Sequence, residues 1–293
     1  MRTNAPLSAL TLAAALASAS AVAHAEPKQL WESPGATVSQ ALGLTEVTVK
    51  YHRPGVKGRE IWGKLVPFGQ VWRAGANEAT TIAFSTPVKI GGKDVPAGTY
   101  GLFVLPASAQ KWTVILSKNP EQWGAYFYKP DQDLLRVDVT PAAAPAREWL
   151  AYELEPTGKT TLTASLHWEK VRASFPIEID VDGIYQAHLA EEIGKADAGN
   201  DAKQKFAANF FAAKYWITRG EKLADAAKLL DKAEKATPSF WVFEWRARLY
   251  QKQGRLKEAL ALVDKAKEAA AGKAPKEYVA GLDALKAEWT AKK

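Results

Sequence analysis

The chain has 293 residues, room for two modest domains that each bury a core. It contains no cysteine, which excludes disulfides and thiolate metal sites. The formal charge of +7 is uneven: residues 26–182 carry 17 basic and 17 acidic side chains, and residues 183–293 carry 21 and 15. In the second part Lys alternates with Glu and Asp at helical spacing, the mark of a solvated helix face, so nucleic-acid binding is not expected.

Residues 1–25 read as a secretory signal peptide. A single Arg2 precedes the uncharged run Leu7 to Ala23, and Ala23-His24-Ala25 has the form of a cleavage site. No later apolar run approaches the roughly 20 residues that span a bilayer. The expectation is a protein without a transmembrane segment, periplasmic or secreted, cleaved near Ala25.

Residues 26–182 carry two-residue alternation. After a short arm, Ser39 to Leu44 leads into Thr45–His52, where Val47, Val49 and Tyr51 alternate with polar residues. A long block rich in Arg, Trp and Gly runs from Tyr51 to Thr81. Strands follow over Thr80–Ser85, over Val88–Ile90 with Val95 across a Gly91-Gly92 turn, and over Thr99–Leu105 and Lys111–Ser117. An aromatic loop, Trp123 to Tyr128, precedes Leu134–Thr140. Trp149–Glu155 and Thr160–Trp168 pair across Pro156-Thr157-Gly158, and Phe175–Val181 closes the set. Short alternating strands between frequent turns predict an antiparallel β-sandwich or barrel-like domain.

From residue 183 to 293 the period becomes 3.6. Leu229 to Ala236 recurs as Leu262 to Ala269, an offset of 33, and Gly220 and Gly254 stand 34 apart. Residues 203–270 therefore resemble two helix–turn–helix units of the tetratricopeptide type. Helices over Gly183–Lys195 and Pro275–Lys293 are expected to flank them. The whole chain is thus expected to be α+β: an N-terminal β domain followed by an all-α helical repeat domain.

The block Tyr51 to Thr80 reads YxRPxxxGRxIWGxLVPFGxVWRxGxNEAT, with x any residue. Ala97-Gly-Thr-Tyr100, the Lys-Trp-Thr-Val-Ile-Leu strand, Trp123-Gly124, Gln132-Asp133, Leu135-Arg-Val137 and Leu166-His-Trp168 continue the pattern. This ordered string resembles the bacterial family called domain of unknown function 2911 over roughly residues 35–181. The resemblance implies an exported β domain and carries no established activity.

The candidate ligand-binding residues are Arg53, Arg59, Trp62, Trp72, Arg73, Asn77, Glu78, Trp123 and Asp133. Arg73 with Asn77 and Glu78 forms the densest constellation. A guanidinium fork beside a carboxamide and a carboxylate suits an anionic or sugar-like ligand. The same residues also make a clamp, with Arg73 paired to Glu78 and Asn77 capping the loop's backbone, and local spacing favours the clamp. Arg53 and Arg59 have only Glu60 nearby, with Asp131 and Asp133 as partners through the fold. Trp62, Trp72 and Trp123 lie in loops, where they offer stacking faces or fill a core. No cofactor or metal is expected; His52, His167 and Glu169 form one conceivable metal set if their strands are neighbours.

No nucleophile elbow, phosphate-binding loop, dinucleotide fingerprint or zinc-protease motif is present in the sequence. The reading is a non-enzymatic cell-envelope protein. It would bind a small polar or anionic ligand on the β domain and a peptide or protein partner on the helical repeats. The alternative is a carbohydrate-acting hydrolase that uses acidic loop residues, Glu78 and Asp133 being the candidate pair. A third option makes the Arg/Trp block purely structural.

Overall fold

The computed structural model describes residues 30–291; the leader expected over residues 1–25 lies outside them. Ten strands form two antiparallel sheets, and six helices follow. Six strands build the first sheet: β1 (Gly35–Leu42), β2 (Thr45–His52), β3 (Thr81–Phe84), β6 (Gly98–Pro106), β7 (Trp112–Ser117) and β8 (Asp133–Val139), in that spatial order. The second sheet runs β5 (Lys93–Val95), β4 (Val88–Ile90), β10 (Thr161–Glu178) and β9 (Ala142–Pro156).

The alternation in the sequence explains the sandwich. Val47, Val49 and Tyr51 of β2 are buried while Glu46 and Lys50, on the other face, are exposed. These apolar residues meet Leu150, Tyr152 and Leu154 of β9 and Leu162, Leu166 and Trp168 of β10 in one core. Strand β7 is buried on both faces. Its outer residue Ile115 joins Phe103 and Ala79 in a second cluster, covered by Ala125 and Tyr128 of the aromatic loop.

Two features differ from the sequence reading. Gly35–Leu42 is a full strand that pairs with β2 along its whole length, from Gly35 opposite His52 to Leu42 opposite Thr45. It lies at the sheet edge and alternates half-buried with exposed residues, so its apolar signal is weak. Thr161–Trp168 and the stretch from Phe175 as far as Glu178 fall in one long strand, β10, and Val181 already opens α1. Register shifts against β9 flank Glu169, whose φ of +54° makes a bulge that bends the strand without ending it.

The helices are α1 (Val181–Ala198), α2 (Ala202–Arg219), α3 (Leu223–Ala236), α4 (Phe240–Lys252), α5 (Leu256–Ala270) and α6 (Lys276–Ala291). Small residues let the helices approach: Ala213, Ala226 and Ala233 are buried in one cluster, and Ala247, Ala259 and Ala266 in the next. Among the described residues no helix is long and apolar enough to cross a membrane. Helix α1 is joined to the β core, since Val181 and Ile184 pack against it.

Candidate functional site

The segment from Arg53 to Thr80 joins two neighbouring strands, β2 and β3, yet it is bonded to both sheets. Strand β3 is four residues long, so the end of the nine-residue β6 keeps a free edge, and the loop fills it. Trp72 N donates to Val104 O at 2.8 Å, Val104 N returns a bond to Trp72 O at 2.9 Å, and Gly69 N reaches Pro106 O at 2.8 Å. On the other side Val56 N donates to Glu148 O at 2.8 Å, and Leu150 N to Pro54 O at 3.1 Å, both on β9.

Between these anchors four Trp rings meet. Trp62 lies 4.5 Å from Trp112 of β7 and 5.9 Å from both Trp72 and Trp168, and Trp72 stacks on Trp168 at 20°. The loop is thereby wedged between the sheets.

Its most constrained stretch is Arg73 to Asn77. Ala74 and Asn77 hold φ of +54° and +57°, values that side-chain-bearing residues seldom adopt. Buried donors over-determine this shape. Tyr152 Oη donates to Ala74 O at 2.9 Å, Thr80 Oγ1 to the same carbonyl at 3.2 Å, and Trp72 Nε1 to Gly75 O at 3.2 Å. Backbone strain maintained by surrounding structure is characteristic of functional loops.

That shape carries the Arg73 side chain into a cavity of about 510 Å³, walled by Trp31, Trp72 and Trp168 with Asn77 and Arg59 at its margin. Arg73 Nε is buried and has no hydrogen-bond partner among the described residues. Among the described residues neither Arg73 nor Arg59 pairs with a carboxylate. The cavity's other cation, Lys57, is paired with its Glu32 at 3.2 Å, so the cavity keeps a positive excess. Burial lowers the Arg73 pKa from its usual value, and the Tyr126 phenol partly offsets this. Arginine remains charged even so, and the charge is poorly compensated.

A second cavity, about 740 Å³, is lined by His52, Glu78, Gln122 and Trp123 together with Lys50 and Thr99. His52 Nδ1 lies 3.1 Å from Glu78 Oε2. Trp123 touches Trp31 at 5.3 Å, so this contact links the walls of the two cavities.

The sequence candidates separate accordingly. The expected Arg73–Glu78 clamp is not formed: Glu78 turns to His52, brought beside it by the end of β2. Asn77 does not cap its own loop but donates to Ser33 O of the N-terminal arm at 3.2 Å. Arg53 and Arg59 find backbone rather than Asp131, Asp133 or Glu60. Arg53 Nε bonds Leu150 O at 2.8 Å, and Arg59 bonds Gly55 O at 2.6 Å and Val56 O at 3.1 Å.

Of the loop tryptophans, Trp62 belongs to the core cluster and lines neither cavity, while Trp72 serves both the core and the Arg73 cavity. Asp133 lines neither cavity. Its Oδ2 accepts from Tyr128 Oη at 2.8 Å and Arg136 Nε at 2.7 Å, so it is engaged away from the cavity that Glu78 lines.

His52, His167 and Glu169 stay apart. His167, on the other sheet, meets Pro145 O through Nε2 at 2.8 Å, and Glu169 accepts from Lys170 N. Among the described residues no group of three or more His, Asp or Glu has the proximity of a metal site. Trp31, Lys57 and Trp168 entered the cavity unforeseen, because each lies far along the chain from Arg73 or carries no local motif.

Residues 33–177 match the model of a family described as protein of unknown function (DUF2911). No curated protein and no solved structure matches the chain.

Proposed function

Since residues 33–177 make this chain a member of the DUF2911 family, whose description assigns no activity, we propose that its β-sandwich is a binding domain for a small organic oxyanion. The carboxylate or phosphate would lie on Arg73 and the body of the ligand against Trp31 and Trp72. The observation that carries this reading is the buried, unpartnered Nε of Arg73 in a cavity with a positive excess. An unsatisfied buried donor costs about 1–3 kcal/mol, and a planar guanidinium fork matches carboxylate and phosphate geometry. A perturbed, poorly compensated charge in a cleft marks a functional site.

A hydrolase built on Glu78 and Asp133 is the weaker reading, because each carboxylate is engaged by a different basic partner. The helical half is read as a docking array of two tetratricopeptide-type units, α2 with α3 and α4 with α5, flanked by α1 and α6. Export to the cell envelope with cleavage after Ala25 completes the reading, and N-terminal sequencing of protein from that fraction would report Glu26 first.

The anion site is tested by thermal unfolding of the chain with acetate, benzoate, inorganic phosphate and phenyl phosphate. A ligand at about 100 times its Kd stabilises by about 2.7 kcal/mol. The aromatic anions should raise Tm more than their small counterparts, and Arg73→Ala should abolish the rise. An unchanged response in Arg73→Ala overturns the assignment, and the carboxylate and phosphate arms tell the two chemistries apart.

A further inference from the structure

The segment that carries Arg73 has a second side. Asn77 lines the Arg73 cavity, whereas its neighbour Glu78 lines the cavity of about 740 Å³ beyond it. We propose that this second cavity binds a neutral, hydroxyl-rich ring of the saccharide class, with Trp123 as its stacking face. The proposal stands independently of the anion site.

Three observations point to that chemistry. Trp123 is 43 % exposed, yet its ring rests against Trp31, so it presents apolar surface that is accessible and supported from beneath. Aromatic faces of this kind stack on the apolar faces of sugar rings, while polar neighbours fix orientation.

The polar neighbours here have capacity left over. Glu78 is half exposed and oriented by His52 Nδ1. Nε2 of His52 bonds to nothing among the described residues and is not among the buried unpartnered atoms. Gln122 is only 9 % exposed and is anchored by Nε2 to Asn119 O at 2.9 Å, while its Oε1 lacks a donor. Carboxylate, amide and imidazole groups together accept from and donate to ring hydroxyls, each of which does both.

The third observation is charge. One lysine, Lys50, and two glutamates, Glu78 and Glu121, line the cavity, so it lacks the positive excess of the Arg73 cavity and disfavours an anion. A neutral polar ligand fits the balance.

The test is an NMR titration of the full chain with maltotriose, cellotriose and chitotriose, with glycerol as the ringless control. At least one trisaccharide is expected to shift resonances saturably below about 20 mM. Trp123→Ala and Glu78→Gln should each weaken that binding about tenfold or more, roughly 1.4 kcal/mol each. Trp123 and Glu78 are both solvent-accessible, so neither change threatens the core. No saturable shift with any trisaccharide, an equal response to glycerol, or survival of binding in Trp123→Ala overturns the proposal.

Discussion

Glu78 Oε2 lies 3.1 Å from His52 Nδ1, and this one pairing leaves Arg73 without the carboxylate that local spacing offers it. Breaking a buried ion pair typically costs about 3–5 kcal/mol. Because Arg73 has no such pair, Arg73→Ala should lower the unfolding free energy by less than about 1 kcal/mol, or raise it by relieving a desolvated charge. The double change Arg73→Met with Glu78→Leu should show coupling below about 0.5 kcal/mol. Denaturant unfolding of Arg73→Ala, and of Arg73→Met, Glu78→Leu and their double, measures both quantities.

Tyr152 shapes the loop from the opposite sheet. Its hydroxyl is buried and donates to the carbonyl of Ala74, which sits at φ +54° directly after Arg73. Tyr152→Phe should cost about 0.5–1.5 kcal/mol, the net worth of one hydrogen bond, since Thr80 Oγ1 still donates to that carbonyl. Oxyanion affinity should fall with it, as the strained turn relaxes and Arg73 loses its position. Unfolding and anion titration on the same variant report the two effects; normal affinity in a destabilised variant would separate loop shape from binding.

Gly75 has no space for a side chain. A Cβ there would lie 2.7 Å from Thr80 Oγ1 and 3.1 Å from the backbone oxygen of His52. Gly75→Ala should therefore destabilise by about 1–3 kcal/mol through overpacking. Gly194 of α1 meets nothing within 4 Å, and Gly194→Ala should stabilise by about 0.5–1 kcal/mol through helix propensity. Opposite signs in urea unfolding are the expected result.

Burial, with the hydrogen bond to Asp133 adding to it, pushes the Tyr128 phenol up to about 12 from an ordinary value near 10. A raised folded pKa means the fold holds the proton more tightly than the unfolded chain does. The stability this contributes is complete below about pH 10 and is lost as pH climbs toward about 12. Tyr128→Phe should flatten that part of the stability profile and lower stability at neutral pH, where Asp133 loses a donor. An unaltered alkaline slope would show that Tyr128 does not contribute.

Much of the architecture was legible because it is locally encoded. Thr45–His52 alternates cleanly and forms a strand over those same residues, and the apolar period that changes after Val181 separates sheets from helices. Edge strand β1 escaped because Thr37, Ser39 and Gln40 give it no buried face to announce.

The site was legible only as a region. Trp62 reads as a loop residue, and what buries it is Trp112 and Trp168, contributed by different sheets. Glu78 reads as the partner of Arg73, five positions away, whereas its actual partner is His52, brought there by the chain's return to β3. Arg59 ends on carbonyls of its own turn, a contact that no spacing of charges reveals.

The unpartnered Nε–H of Arg73 is itself the most direct reporter of the anion site. Its resonance, assigned by its absence in Arg73→Ala, should be followed by ¹H–¹⁵N NMR while benzoate is added to the full chain. A saturable downfield shift complete by about 50 mM is the expected result, as a charge-assisted hydrogen bond forms at a donor that previously had none. An Arg73 resonance that stays in place across that range would contradict the account.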